Sequence, residues 1–274
     1  MRADALAYDR VRAAAPPLGD PAMSELSRRT FTESTLASLL GYAFLETVFR
    51  GEAFSDEMKL IARKWLADLN AMGQDLKDRK LKATEWQKKV EELFATVDVA
   101  EFLKFIDFQK LTANVKYPSS GEKSMRAAWP KVEGLPTNLV FGHQVFALGK
   151  GRSVVPHGHD NMATAFLILK GDFQGKLYDR LEDPDSDHMI IKPTVDRKFT
   201  VGEASTISDE KDNVHWFQAE TEGSYIFNIH VMNVTPNFPR PTGRVYVDPN
   251  GEKLSDGRIL ARKLGSEEVY KLYG

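Results

Sequence analysis

Between Leu139 and Met232 the chain is divided by polar turns into short apolar runs, and this spacing limits the fold more than any other feature. The runs are Leu139–Leu148, Ala165–Leu169, Gly175–Tyr178, Met189–Pro193, Phe199–Val201, Ala204–Ile207, Val214–Ala219 and Tyr225–Met232. Short apolar segments bounded by turn residues read as strands. Eight or so of them in succession suggest a small antiparallel barrel or jelly roll, whose interior has room for one metal ion and one small ligand. The tail adds a strand and turn over Arg244–Gly251, expected to cover an edge, and a short terminal helix over Ser266–Tyr273.

Upstream the period changes. Ser55-Asp-Glu starts like a capped helix. Met58, Ile61, Trp65, Leu69, Met72 and Leu76 then recur at helical steps. Thr84-Glu-Trp-Gln87 reads as a capping box for a second helix to about Phe94, and Val99, Phe102, Leu103, Ile106 and Leu111 mark a third. Short connections imply a small antiparallel bundle at roughly 54–116, its aromatics serving as core or barrel-docking residues. The expected organisation is a leader at 1–53, helices at 54–116, and a barrel with its tail helix at 117–274. With 274 residues and 42% hydrophobic content the chain can bury a sizeable core. A net charge of −2, well mixed, argues against nucleic acid and anionic membranes. There is no cysteine, so disulfides, thiolate metal sites and a cysteine nucleophile are excluded.

His157 and His159 carry the chemistry. On a strand, residues two apart share a face, so both imidazoles can chelate one ion. Two neutral nitrogens suit Fe(II), Mn(II), Zn(II), Ni(II) or Cu(II) rather than Mg or Ca. From Gly151 the spacing runs through His157, His159 and Thr164 to Gly171. This resembles the first motif of the cupin superfamily, with Thr164 where most cupins carry a glutamate ligand. Glu210-Lys-Asp212-Asn-Val-His215 is similar to the second motif, although Glu210 and Asp212 stand where its proline and glycine usually do. The resemblance implies a mostly β, cupin-type antiparallel β-barrel (jelly roll) preceded by a small α-helical bundle, with His157, His159 and His215 as the metal ligands. A site without the carboxylate is more positive by one charge and favours an anionic ligand.

Over roughly 135–240 the chain resembles cysteine dioxygenase-type thiol dioxygenases. Gly149-Lys150-Gly151 leads into the histidine pair. Phe166–Gly171 and Lys176–Asp179 look like that family's strand, turn and strand. His230, in Phe227-Asn228-Ile-His230-Val-Met232, lies at the offset of the family's supporting histidine. There are departures: Met232 and Asn228 replace the family's tyrosine and serine, and Thr137 stands where its carboxylate-binding arginine would be.

The resemblance implies an Fe(II)-dependent dioxygenase acting with O2 on a small anionic substrate, a thiol among the candidates. His230 is then catalytic, and Thr164, Asn228, Met232 and His143 are pocket or supporting residues. Asp160 and Asn161 are candidates to replace the missing carboxylate, and His188 is expected in solvent. Mn, Zn or Ni in a non-redox isomerase, lyase or decarboxylase is the second reading. A non-catalytic ligand-binding cupin is the third. A homodimer through barrel edges is expected by analogy, with no nucleic-acid partner and no stable membrane insertion. Ser27-Arg28-Arg29-Thr30-Phe31 followed by Thr35–Leu45 fits a twin-arginine export signal, with Met23 as the true start and the periplasm as the destination. The alternative is an amphipathic helix over Phe31–Phe49 in a cytoplasmic protein.

Overall fold

The computed structural model describes residues 66–127 and 138–274. The leader, the helix start at Ser55, Trp129-Pro130 and Thr137 lie outside the described residues. A single π turn at 66–68 opens into helix α1 (Leu69–Lys77), followed by α2 (Ala83–Ala95), α3 (Val99–Phe105) and α4 (Phe108–Thr112). No helix among the described residues is long and apolar enough to cross a membrane.

Local chemistry sets the helix boundaries. The α2 cap lies earlier than the expected box: Lys82 precedes the helix, and its backbone N–H donates to the Glu85 carboxylate at 3.2 Å. Gln87 does not reach back to the cap, because its side chain is buried against the barrel. The third helical stripe splits into two. Asp107 adopts a left-handed conformation (φ 48°), which ends α3 and restarts the chain as α4. At the start of α3, Asp98 accepts a hydrogen bond from the Glu101 N–H at 3.0 Å, a standard N-cap.

Eleven strands follow: β1 (Lys123–Met125), β2 (Gly142–Leu148), β3 (Ser153–Asp160), β4 (Met162–Lys170), β5 (Phe173–Glu182), β6 (His188–Phe199), β7 (Ala204–Ile207), β8 (Val214–Ala219), β9 (Ser224–Met232), β10 (Gly243–Lys253) and β11 (Ile259–Lys263). Helix α5 (Ser266–Tyr273) closes the chain. Strands β1-β2-β9-β4-β7 form an open sheet, while β10-β11-β6-β5-β8-β3 close into a ring through the pairing of β3 with β10. All pairings are antiparallel. The mostly β barrel preceded by helices is thus as expected.

Two strand expectations need correction. Phe199 ends β6 rather than starting a strand of its own, because Gly202 (φ 88°) turns the chain at once into β7. Pro249-Asn-Gly251 is an irregularity inside β10 rather than a terminal turn. The register with β11 shifts between Asp248 and Glu252, and a Cβ on Gly251 would lie 2.1 Å from the Leu260 carbonyl oxygen.

Two clusters make up most of the apolar core among the described residues. Trp86, Val90, Phe94 and Phe102 from the helices cover the outer face of the open sheet, meeting Val145, Leu167 and Phe227. Phe102 and Phe227 pack edge to face at 4.9 Å. Between the sheets, Phe146, Val154, Phe166, Phe173, Phe199 and Phe217 fill one end. A further apolar cluster of Met189, Ile191, Val214, Val247 and Ala261 packs among the ring strands, and the buried histidines lie between these groups. Every residue of β3 is buried, and its outward Val155 is covered by Leu264 and Val269 of the tail.

Gln87 joins the helical layer to the barrel. Its amide donates to the Thr206 carbonyl at 3.0 Å and accepts from the Ser208 hydroxyl at 2.8 Å. Gln87→Leu removes both bonds and leaves the Ser208 hydroxyl, which still accepts from the Glu210 N–H, without an acceptor for its proton; it is expected to cost about 1–3 kcal/mol in urea unfolding. An unchanged midpoint would show that the helices dock through apolar contact alone.

Candidate metal centre

Strict two-residue alternation would place Val155, His157 and His159 on one face of β3, but an irregularity between Val154 and His157 resets its register with β8. His157 thereby falls opposite His215. Both β3 histidines point into the barrel, and one ring nitrogen of each of the three histidines lies within 4.8 Å of the others. Ring centroids are 4.1 Å apart for His157 and His215, 4.9 Å for His157 and His159, and 5.1 Å for His159 and His215. All three rings are buried.

Their hydrogen bonding leaves lone pairs unmatched. His157 Nδ1 lies 2.7 Å from the Val155 carbonyl, so it carries the proton and Nε2 is free to ligate. His159 Nδ1 lies 3.4 Å from the Met162 thioether sulfur, while its Nε2 has no partner. Neither nitrogen of His215 has a partner. Buried, unmatched nitrogens on two of three converging rings are costly unless something occupies the space between them. Burial, chiefly, and then the nearby positive groups hold all three rings below the ordinary histidine range, His159 at about 3. The rings are therefore neutral at pH 7, the form that binds a metal.

Two further residues hold the ligand strand. Asn213 donates to the His159 carbonyl at 2.9 Å and accepts from the His159 N–H at 3.2 Å. Gly158 leaves space for this amide, since a Cβ there would lie 2.6 Å from Asn213 Oδ1. Asn213 was not singled out in the sequence, although it sits inside the motif that supplies His215.

The facing wall is built by β2, β9 and β4. Gly142, His230 and Thr164 are aligned across it, as are Gln144, Asn228 and Phe166. His230 leans over Gly142, its Nε2 lying 2.2 Å from where a Cβ would stand. Asn228 accepts from Gln144 at 3.2 Å, and Gln144 accepts from Ser124 at 2.7 Å. Thr164 is buried and its hydroxyl has no partner. Met162 and Met232 pair across β4 and β9. Together with His157 and His159 these residues line an open cavity of about 450 Å³.

Arg126 and Arg244 also line this cavity. Arg244 pairs in register with His159. Its guanidinium contacts the buried Glu122 at 3.1 Å, and the Tyr270 hydroxyl from α5 lies 3.2 Å from both carboxylate oxygens. Arg126 forms no ion pair with any described residue. Alternation in Arg244-Val-Tyr246 could have pointed to Arg244, but the tail read as an edge cover.

Three expected positions lie elsewhere. His143 shares β2 with Gln144 and so takes the opposite face, where its Nε2 lies 3.0 Å from the Ala127 carbonyl. It does not line the pocket. Asp160 also faces away from the ligands and is held by Arg180 at 2.8 Å and Arg240 at 2.7 Å, so it does not replace the missing carboxylate. Asn161 is committed as well: its amide bonds the Thr235 carbonyl and the Thr242 hydroxyl at a left-handed turn residue (φ 58°). His188 is half-exposed, 3.0 Å from Asp185.

No family profile matches the chain, and no curated protein does. Among solved structures, an 11S globulin from Wrightia tinctoria, whose structure reveals an auxin binding site, is 11% identical over 39% of this chain and 22% of its own, with a TM-score of 0.28. Procruciferin, an 11S globulin from Brassica napus, is 11% identical over 34% and 21%, with a TM-score of 0.27. The chain spans about a fifth of the length of these structures. The described residues form a closed antiparallel ring facing an open sheet, and their buried three-histidine group could hold a metal ion.

A pH dependence follows. In the unfolded chain each histidine takes up a proton near pH 6.5, while in the fold the three rings resist protonation. Below about pH 6.5 the unfolded state therefore binds more protons, and stability falls with pH by about 1.4 kcal/mol per unit for each ring. His143 and His230, also lowered chiefly by burial, add to the trend, while Asp209, pushed up to about 6 chiefly by burial, acts in the opposite direction as one group against five. Urea midpoints of the metal-free protein are expected to drop steadily from pH 7.5 to pH 5. A flat profile would contradict the desolvated-histidine account.

Proposed function

We propose that the protein is a mononuclear, non-heme Fe(II)-dependent dioxygenase acting on a small anionic substrate, with thiols the first class to try. The observation that carries this reading is the set of three neutral imidazoles with free lone pairs and no carboxylate among them. Such a set leaves the ion with its full positive charge, which favours an anion beside it. Bound iron would supply the oxygen-activating electron chemistry. The chain's own residues do the rest. His157, His159 and His215 hold the ion on one side of the cavity. Arg126 and Arg244 attract the anionic group of the substrate. His230 offers a ring nitrogen to the substrate from the facing wall. Phe166, Met162 and Met232 restrict water. The likeness to cysteine dioxygenase-type enzymes supports the ligand set, whereas Met232, Asn228 and Thr137 depart from that family's substrate contacts.

Elemental analysis of natively expressed protein is expected to give one iron per chain. Oxygen uptake with a panel of thiols, diketones and catechols is expected to identify a substrate. His157→Ala and His215→Ala should lose metal affinity by about 100-fold or more. His230→Gln should retain iron and lose turnover by about 100-fold. A silent panel with iron still bound would contradict the dioxygenase reading. Mn, Zn or Ni in place of iron, with oxygen-independent turnover, would favour an isomerase, lyase or decarboxylase. Ligand affinity without turnover would favour a sensor.

We also propose twin-arginine export to the periplasm and pairing through barrel edges. The mass of the mature amino terminus from the native host, and the solution mass of the protein, test these directly.

A further inference from the structure

Of the three imidazoles, His159 alone is oriented by a sulfur atom. Its Nδ1 lies 3.4 Å from Met162 Sδ, whereas His157 uses a backbone carbonyl. A thioether is a weak acceptor, so this ring is held loosely. Met162 is 8% exposed yet lines the cavity, and its cross-strand neighbour Met232, 40% exposed, lines the same cavity. A small solute entering the cavity therefore meets thioether sulfur next to a ligand. Thr164, two residues on along the same face of β4, carries a buried hydroxyl with no partner.

We propose that Met162 is a modification site at which a peroxide alters the grip of His159 on the metal. This rests on the three-histidine reading of the site. In the reaction the thioether sulfur attacks one peroxide oxygen with a lone pair. The O–O bond breaks, an S–O bond forms, and the proton of the transferred hydroxyl passes to the departing hydroxide, which leaves as water. Sulfur is oxidised by two electrons and hydrogen peroxide is reduced by two. A 3.4 Å gap leaves no room for an oxygen between nitrogen and sulfur. Either the ring turns to follow the new, strong acceptor, or the sulfoxide turns away towards Thr164 and the ring loses its orienting contact. Both displace Nε2 from the ligand set. Losing the group that orients a ligating histidine typically weakens metal binding by about 10–100-fold.

The test uses full-length, metal-free protein carrying Met232→Leu, treated with hydrogen peroxide and mapped by peptide mass. Zn(II) affinity is measured before and after. Met162 is expected to oxidise ahead of Met189, which is fully buried away from the cavity. The Zn(II) dissociation constant should rise about ten-fold or more and recover with methionine sulfoxide reductase. In Met162→Leu/Met232→Leu the same treatment should leave the constant unchanged. The proposal is overturned if Met162 stays reduced while Met189 oxidises. It is also overturned if Met162 sulfoxide forms without a change in affinity, or if the affinity still shifts in the double variant. Absence of Zn(II) binding before peroxide would instead defeat the metal reading itself, which separates the two failures.

Discussion

Three converging imidazoles drawn out of water, two of them with buried nitrogens that have no partner, are the constraint around which this barrel is organised. Each desolvated nitrogen costs free energy that a purely structural core would avoid by using apolar side chains. The sequence instead retains His157, His159 and His215 in an interior that phenylalanines close at one end. The surrounding architecture can be read as support for that arrangement. The register shift before His157 sets it against His215, Asn213 clamps the backbone of His159, and Gly158 clears space for that clamp. The helices stiffen the opposite sheet from outside, so the wall bearing His230 is backed by packed aromatic side chains.

Charge is distributed in a matching way. The ligands are neutral, and Arg244 is the nearest fixed cation in register with them. Glu122 holds that guanidinium and is itself held by the Tyr270 hydroxyl, which ties the tail helix to a residue of the cavity wall. Arg126 adds a second guanidinium with no anionic partner among the described residues. The cavity is therefore electropositive on balance, in keeping with the small anion proposed as its occupant.

Much of this was legible in the sequence because it is local. A two-residue period placed His157 and His159 on one face, and short apolar runs located most strands. The second motif supplied His215 despite its altered flanks. What could not be read depended on partners distant in the chain. Asp160 looks like a ligand beside two histidines until Arg180 and Arg240 are seen to claim it. Alternation along β2 turns His143 away from the pocket, a parity that depends on where pairing with β9 begins. Arg244 enters the site only because β10 closes the ring against β3 across some eighty residues. Gln87 looked like part of a helix cap, and only the docked barrel shows it to be a tether.

The central claim is that three rings grip one ion. X-ray absorption on protein loaded with one equivalent of Zn(II) tests it most directly. The account predicts an imidazole shell of three nitrogens at about 2.0–2.1 Å with the ion, lost when His215 is replaced by alanine. A shell with fewer than three imidazoles, or one unaffected by that replacement, would contradict it.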